Sequence, residues 1–366
     1  MPEPFKERIN PAAVKTLAAG LRAGTPSFPA DAFIQDAAAG LASLALKDRV
    51  RKVSRALASR LPSDWSSALQ VMIRGMGPPL PDDRNLTGGF LYWPMLQVVE
   101  DHGLAHPDAS LAALGEMTRR FSAEFAVRPY LLKHPDKAWA QMNRWTESDD
   151  LHVRRLASEG SRPRLPWGIR LPPSIQDPSR NLALLHKLKD DPEAYVRRSV
   201  ANHLNDVSRD HPQRAVETAT QWMQTPARRQ MVRHGLRTLL KSGDPGALAL
   251  MGFSPPKLKT TSLTVSPLTL TLGQTLTLTA HIVSTKSSDQ SLMVDVAIGF
   301  LRKNGTLSDK VFKGTTRTLK KGETWNWEKS LPLRAVTTRR HYPGAHRVRL
   351  LINGAPQGEA TFTLVC

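Results

Sequence analysis

The stretch that decides the fold is Tyr195-Val-Arg-Arg-Ser-Val-Ala-Asn-His-Leu-Asn-Asp206. Three of its apolar residues are spaced four apart, which predicts the buried face of an α-helix: Val196, Val200 and Leu204. Three polar residues at the same spacing predict a polar stripe on another face: Arg198, Asn202 and Asp206. Most of the stability of such a helix comes from packing its apolar face against neighbours.

Similar stretches occur before and after it in the chain. In Asp150-Leu-His-Val-Arg-Arg-Leu-Ala-Ser-Glu159, Val153 aligns with Val196 at a distance of 43 residues. The stretch Val232-Arg-His-Gly-Leu236 begins 36 residues after Val196. Periods near 40 residues with two helices per unit are typical of HEAT-like repeats, so we predict an all-α HEAT-like repeat solenoid.

The composition of the chain changes near residue 257. Before it, Ala, Leu, Lys and Arg dominate, and helical spacing is clear in three early stretches: Pro11–Leu21, Ala32–Leu44 and Val50–Leu61. After it, Thr, Val and Leu dominate, and four stretches read as strands: 262–266, Thr269–Ile282, Met293–Leu301 and Arg347–Ile352. Turns are expected at five glycines: Gly273, Gly305, Gly322, Gly344 and Gly354. We therefore predict a multidomain chain, with the solenoid at residues 1–253 and an all-β immunoglobulin-like sandwich at residues 258–366.

The balance of charge points to a polyanionic partner. The chain carries 51 Lys and Arg against 32 Asp and Glu, a net charge of +19. Residues 257–366 hold 16 basic and 6 acidic residues, so their positive charge is over twice as dense as that of the other 256 residues. Nucleic acid is the expected partner, and the alternative is an excess that only keeps the protein in solution. Within the sandwich, Arg339-Arg-His and Arg347-Val-Arg suggest phosphate contacts that complete a clamp on DNA.

Several classes of protein are excluded. Hydrophobic residues make up 40% of the chain, which excludes general disorder. No apolar run approaches the length of about 18 residues that a bilayer requires, and the first eight residues are too polar for a signal peptide. One cysteine, Cys366, allows neither an internal disulfide nor a cysteine zinc site. The histidines lack metal-ligand spacing, and no phosphate-binding glycine loop or GxSxG elbow occurs. We expect a cytoplasmic protein without metal or cofactor.

Three acidic residues occupy related positions in the repeats. Glu124 lies four residues after Arg120, and Glu159 lies four residues after Arg155. Stacked parallel helices would bring Glu124, Glu159 and Asp206 to one concave surface. Each acid also has an arginine close enough for an ordinary surface ion pair: Glu124 with Arg120 or Arg128, Glu159 with Arg155, and Asp206 with Arg209.

The tryptophans fall into two groups. Trp167 lies in Arg162-Pro-Arg-Leu-Pro-Trp-Gly-Ile-Arg, a proline-rich segment without a helical stripe to fill. Such a side chain stacks on a sugar or base, or it anchors the loop by packing. Three tryptophans at helical spacing are expected in the core: Trp139, Trp145 and Trp222. Trp325 and Trp327 alternate along a strand, so one of them should be buried.

These segments together resemble the AlkC branch of the AlkC/AlkD bacterial alkylpurine DNA glycosylases over residues 1–253. Four segments carry the resemblance: Leu46-Lys-Asp-Arg-Val-Arg51, Arg120-Phe-Ser-Ala-Glu-Phe-Ala-Val-Arg-Pro-Tyr130, Val153-Arg-Arg-Leu-Ala-Ser-Glu-Gly-Ser-Arg-Pro-Arg-Leu-Pro-Trp167 and Tyr195–Asp206. The sandwich resembles the immunoglobulin-like module that some AlkC proteins carry.

The resemblance implies a monofunctional glycosylase of base excision repair that removes cationic bases, 3-methyladenine and 3-methylcytosine, without base flipping. It implies a cofactor-independent site composed of Glu124, Glu159, Trp167 and Asp206. Among the acids we favour Asp206, with Glu159 beside it, as the residue that handles the water. The expected partner is double-stranded DNA containing alkylated bases, and the expected state is a monomer.

We also select candidate DNA contacts among the arginines of both domains: Arg155, Arg162, Arg164, Arg198, Arg339, Arg340, Arg347 and Arg349. The competing interpretation is a non-catalytic HEAT-repeat protein that binds damaged or structured DNA. Carboxylates facing a polyanion repel it, so a pure binding protein has no use for three of them on its binding face.

Overall fold

The computed structural model describes residues 4–83, 86–336 and 339–365, and for Leu86, Thr260 and Thr261 it describes the backbone alone. Cys366 lies outside these residues. Within these ranges, no helix combines the length and the apolar character that crossing a membrane requires.

The described residues up to 250 form sixteen α-helices. They are α1 Pro11–Gly24, α2 Ala30–Ala38, α3 Leu46–Ala58, α4 Trp65–Gly75, α5 Trp93–His102, α6 Pro107–Met117, α7 Arg128–Lys133, α8 Pro135–Trp145, α9 Leu151–Gly160, α10 Pro172–Gln176, α11 Ser179–Leu188, α12 Ala194–Asp210, α13 Pro212–Trp222, α14 Arg229–Gly235, α15 Arg237–Ser242 and α16 Pro245–Leu250. Four helices begin at a side chain that accepts a backbone N–H hydrogen bond: Asn10, Asp64, Asp150 and Asp244. The sequence thus marks several helix starts directly.

The helix that contains the opening stretch forms as predicted on its apolar face. Val196, Val200 and Leu204 are fully buried, and α12 packs against both α9 and α14. The predicted polar stripe is only partly correct, because Asp206 is 3% exposed while Arg198 is open to solvent. The arrangement as a HEAT-like solenoid stays a prediction.

Five of the six predicted helix bounds differ from the observed ones, most of all the end of α2 and the start of α3. α2 ends at Ala38 instead of Leu44, because Gly40 takes a left-handed φ of 63° and starts a short 3-10 turn. α3 begins at Leu46 instead of Val50. The tryptophans follow the prediction, since Trp139, Trp145, Trp222 and Trp327 are buried.

The strand region is a sandwich of two sheets. Its strands are β1 Leu258–Ser266, β2 Thr269–Thr271, β3 Thr275–Ser284, β4 Gln290–Leu301, β5 Leu307–Leu319, β6 Thr324–Pro332, β7 Gly344–Ile352 and β8 Ala355–Val365. One sheet has the order β1-β3-β6 and the other the order β2-β8-β7-β4-β5. The core lies between them and includes Ile282, Val296, Leu350 and Phe362.

The predicted strand stretch Thr269–Ile282 is divided between the two sheets. Gly273, with a φ of 98°, ends β2, which pairs in parallel with β8, whereas β3 pairs with β1 and β6 in the other sheet. All five predicted turn glycines have positive φ. The helical region followed by an all-β sandwich confirms the predicted fold class at this level.

The chain also divides into two compact units. The first runs to His211 and includes Trp222–Gly235, and the second comprises Pro212–Gln221 and the chain from Leu236 onward. Thus α15, α16 and most of α13 belong to the same unit as the strands. The predicted boundary between residues 253 and 258 marks the change from helix to strand, but the limits of the units lie within the helical region.

Candidate active site

The first unit contains a cavity of about 390 Å³ that collects most of the predicted site residues. Three of the four line it: Glu124, Glu159 and Trp167. Much of the remaining wall is aromatic: Phe5, Phe90, Trp93, Phe121, Phe125 and Tyr195. An apolar cavity with a few charged groups is the usual form of a binding site.

Glu124 lies in the turn between α6 and α7 and not on a helix, as the stacked-helix prediction required. The helix begins only at Arg128, where Pro129 in its first turn fits the start of a helix. Glu124 Oε2 accepts hydrogen bonds from Ser122 Oγ at 2.8 Å and from Arg155 Nη1 at 2.7 Å. Its ion-pair partner is therefore Arg155 on α9, and neither of the two predicted arginines takes this place.

Glu159 lies in the last turn of α9 and is 5% exposed. Arg162 Nη1 donates to its Oε1 at 2.6 Å, Ser199 Oγ donates to its Oε2 at 2.6 Å, and Arg155 Nη2 lies 3.6 Å away. Burial acts to raise the pKa of Glu159, but the two guanidiniums and the hydroxyl outweigh burial and lower it. Glu159 therefore stays a carboxylate at neutral pH.

Asp206 lies on the buried side of α12, behind Arg162 and outside the described cavity lining. Arg162 binds it through two hydrogen bonds, Nε–Oδ2 at 2.9 Å and Nη2–Oδ1 at 3.1 Å. Burial raises the pKa of Asp206, although Arg162 opposes this effect. The predicted pairing with Arg209 is wrong, since Arg162 is the partner.

Trp167 projects from the loop between α9 and α10, residues 161–171, which we call the Trp loop. It is 57% exposed, and its backbone has a φ of 65°, a left-handed conformation rare for a tryptophan. Lys47 Nζ donates to its carbonyl at 2.5 Å. Because the side chain is exposed at the cavity, it is available to a ligand, and packing alone does not explain its position.

Buried cations hold this arrangement together. Arg128 is fully buried, and it donates to the carbonyls of Gly160 and Ile169 at 2.8 and 2.6 Å, one just before the Trp loop and one within it. Burial, together with the charge of Arg162, lowers the pKa of Arg128 to about 10. The three carboxylates are balanced by the three guanidiniums of Arg128, Arg155 and Arg162, so the cluster has no net charge. The site is less repulsive to DNA than three isolated acids would be.

The predicted DNA-contact arginines differ in their surroundings. Arg155 and Arg162 are committed to the site carboxylates, and Arg164 binds Asp210 at 2.7 Å. Arg198 and Arg340 are exposed. Arg339 stacks over the Phe300 ring at 3.9 Å, while Arg347 and Arg349 both pair with Asp309. Burial and two carboxylate partners favour a positioning role for Arg162 in the free protein.

Sequence reasoning missed several residues of the site. It missed the aromatic wall, the hydroxyls of Ser122 and Ser199, and the long-range contacts of Lys47 and Arg128. One observation could have identified Lys47 as a site residue, because it lies in a segment that carried the family resemblance. Among the described residues, no group of His, Cys, Asp or Glu has an arrangement that could hold a metal ion.

Comparison with known proteins places these features in a family. A family described as "DNA alkylation repair enzyme" matches residues 121–239, and one described as "Uncharacterised protein YhaZ, C-terminal Ig-like domain" matches residues 259–366. The protein YhaZ of Bacillus subtilis (strain 168) is 38% identical over 361 residues, which cover 98% of each chain. The structure of Pseudomonas fluorescens alkylpurine DNA glycosylase AlkC, bound to DNA containing an abasic site analog, matches with 37% identity and a TM-score of 0.92. That match covers 100% of both chains, so it includes helices and strands alike.

Proposed function

Since the chain belongs to the AlkC family of DNA alkylation repair enzymes, we propose that it is a monofunctional DNA glycosylase. The proposed reaction is hydrolysis of the N-glycosidic bond of cationic, N3-alkylated bases, 3-methyladenine and 3-methylcytosine, in double-stranded DNA. The observation that carries the proposal is that two carboxylates and an exposed tryptophan line one cavity. We place the activity in the bacterial cytoplasm, with the protein acting as a monomer.

The chemistry of the substrate explains why carboxylates suffice. Methylation at N3 makes the base a cation, so it departs as a neutral molecule and needs little help from a general acid. The sugar left behind is electron-poor and resembles an oxocarbenium ion. Carboxylates beside this developing charge stabilise the transition state more than the ground state.

The geometry supports a division of labour. Glu124 and Glu159 line the cavity, and the lowered pKa of Glu159 keeps its charge available to the sugar. Trp167 is exposed enough to place its ring against a deoxyribose that remains in the duplex. This supports excision without base flipping, which is part of the proposal.

Asp206 is the proposed base that activates the water. Burial raises its pKa, which makes it a better proton acceptor than an ordinary aspartate, whereas the pKa of Glu159 is lowered. Arg162 covers it in the free protein, so Asp206 acts only after Arg162 exchanges it for another anion. We propose that a DNA phosphate is this anion, which assigns Arg162 both a positioning role and its predicted contact with DNA.

The sandwich is proposed to add sequence-independent phosphate contacts through its basic surface. Arg340 is exposed, and Arg347 and Arg349 remain partly accessible beside Asp309. Contacts of this kind contribute affinity that depends on salt, and they leave the chemical step unchanged.

The proposal is tested with a duplex that carries one 3-methylcytosine and with methylated DNA that contains 3-methyladenine. We expect release of the free base in the presence of EDTA, and a strand that breaks only after alkaline treatment. A duplex containing uracil serves as the control, because a neutral base needs leaving-group activation that this site lacks. Binding of methylated DNA without release of any base would favour the non-catalytic alternative.

A further inference from the structure

The segment Leu46-Lys-Asp-Arg-Val-Arg51 has no role in the proposed chemistry, yet its first turn contacts two segments that each carry a residue of the cavity wall. Lys47 Nζ donates to the Trp167 carbonyl at 2.5 Å, across 120 residues of sequence. Two residues later, Arg49 is 1% exposed and directs its guanidinium at the start of the chain. One turn of α3 therefore contacts two distant segments.

Arg49 holds the N-terminal turn, a short 3-10 helix at Phe5–Arg8, against α3. Its Nη1 donates to the carbonyls of Lys6 at 2.8 Å and Ile9 at 3.1 Å, and it pairs with the Glu7 carboxylate at 3.2 Å. The same guanidinium group also donates to the carbonyls of Ala42 and Leu44. A buried guanidinium with this many acceptors fixes the backbone that it binds.

The N-terminal turn carries Phe5, which belongs to the cavity wall. Its ring stacks on Phe90 at 5.6 Å between centroids and meets Trp167 edge to face at 6.2 Å. Phe5 is nevertheless 53% exposed. Two large aromatic side chains that are both more than half exposed and adjacent at one cavity are a costly arrangement unless a ligand covers them.

We propose that Phe5 is a second aromatic contact for the deoxyribose, and that the first turn of α3 positions both aromatic rings. Lys47 positions Trp167, and Arg49 positions Phe5. This inference rests on the proposed function, because it takes the sugar of the damaged nucleotide as the ligand. Aromatic faces suit such a ligand because they pack against C–H groups and stabilise a developing cation.

The left-handed backbone of Trp167 explains why a positioning residue is needed. A non-glycine residue at this φ is strained, because its Cβ approaches the following carbonyl oxygen. A cation bound to its own carbonyl favours the observed peptide orientation. Without that hydrogen bond the loop gains access to other conformations, and the ring no longer points consistently at the sugar.

The first measurement is independent of activity. The full chain is labelled with 5-fluorotryptophan, and the ¹⁹F resonance of Trp167 is assigned by its loss in Trp167→Phe. We expect Lys47→Met to shift or broaden this resonance while the other tryptophan resonances stay unchanged. Lys47→Arg should restore the resonance, because it supplies a donor again. Lys15→Met, which removes the same charge from an exposed position on α1, should leave the spectrum unchanged.

The second measurement is single-turnover excision at saturating DNA. Lys47→Met and Phe5→Leu should each slow excision by about 10- to 100-fold, since a misplacement of about 1 Å at the reacting centre can cost about 10²-fold in rate. In a Trp167→Ala background, Lys47→Met should cause no further loss, because the residue acts through Trp167. An unchanged Trp167 resonance, or losses that multiply in the double variant, would overturn the positioning role of Lys47.

Different results would contradict the glycosylase proposal and the roles proposed for Lys47 and Phe5. If the unmodified protein releases no alkylated base, the proposed function is wrong and the sugar is not the ligand, while the fluorine spectra still decide whether Lys47 positions Trp167. If the protein is active and Phe5→Leu excises at the full rate, Phe5 is not a contact and the glycosylase proposal stands.

Discussion

The helical region and the sandwich use charged side chains in opposite ways. In the helical region, Glu159, Arg162 and Asp206 are buried and bind one another at 2.6–3.1 Å. In the sandwich, Arg340 is exposed, and the paired arginines of β7 remain partly accessible. Burying charge is expensive unless every partner is present, whereas exposed charge is cheap to keep.

This difference predicts where function depends on single residues. A buried network fails when one member changes, because the remaining charges lose their partner. A basic surface loses affinity gradually, by one contact at a time. The net charge of +19 indicates a polyanionic partner, but it is the small buried cluster that indicates chemistry.

The largest effect is expected from Glu159→Gln. The change removes a charge from the cavity and should lose about 3–4 kcal/mol of transition-state stabilisation, or about 10²–10³ in single-turnover rate. DNA affinity should stay equal or increase, because a negative charge is lost. Glu147→Gln is the matched control, since Glu147 is exposed and pairs only loosely with Lys187 at 3.4 Å.

Stability must be measured alongside the rate of Glu159→Gln. The variant leaves the buried positive charges of Arg155 and Arg162 with one carboxylate partner fewer, so we expect a lower Tm. Excision is therefore compared at a temperature where circular dichroism shows both proteins folded. A full excision rate in the folded variant would return Glu159 to an ion-pair role.

Asp206→Asn should slow excision by about 10²-fold, the range for loss of a general base. The pH dependence identifies the residue, because burial raises the pKa of Asp206 whereas the pKa of Glu159 is lowered. The active base is deprotonated, so the rate should fall as the pH falls through a value above the ordinary aspartate pKa. This acidic limb should disappear in Asp206→Asn and persist in Glu159→Gln. A limb that survives in Asp206→Asn would assign the base elsewhere.

The turn between β7 and β8 lies against Gly243, the residue that follows α15. Gly354, in the turn between β7 and β8, has a φ of 76°, and an added Cβ would lie 2.3 Å from the Cα of Gly243. Gly354→Ala should therefore destabilise the second unit by about 2 kcal/mol or more. Gly322→Ala is the control, because Gly322 also has positive φ but no atom lies near its added Cβ. Equal denaturation midpoints for the two variants would show that the close contact with Gly243 contributes nothing.

The sequence predicted the features that depend on short spacing. The stripe of Val196, Val200 and Leu204 and the pairing of Glu159 with Arg155 both follow from helical periodicity. Contacts that cross between elements were not predictable, because spacing says nothing about which side chains meet over 31 or 44 residues, as Arg155 and Glu124 or Arg162 and Asp206 do. For the same reason, the sequence did not predict where the two compact units begin and end. A truncation at residue 257 would cut through the second unit.

Single substitutions are therefore the better test of the sandwich, and Arg340→Gln should have the smallest effect of all. Arg340 is exposed and lies over the Tyr342 ring at 5.6 Å from its centroid, so its removal should not disturb the fold. If Arg340 contacts one phosphate, the slope of log affinity against log salt should become shallower by about 0.9. The excision rate at saturating protein should stay unchanged, because the chemistry belongs to the buried cluster of the other unit.

Lys321→Gln removes the same charge from the turn between β5 and β6 and controls for a general loss of positive charge. If both variants change the slope equally, the sandwich attracts DNA through its overall charge and Arg340 makes no specific contact. If neither changes it, the basic surface of the sandwich serves solubility, and DNA affinity must come from the helical unit alone.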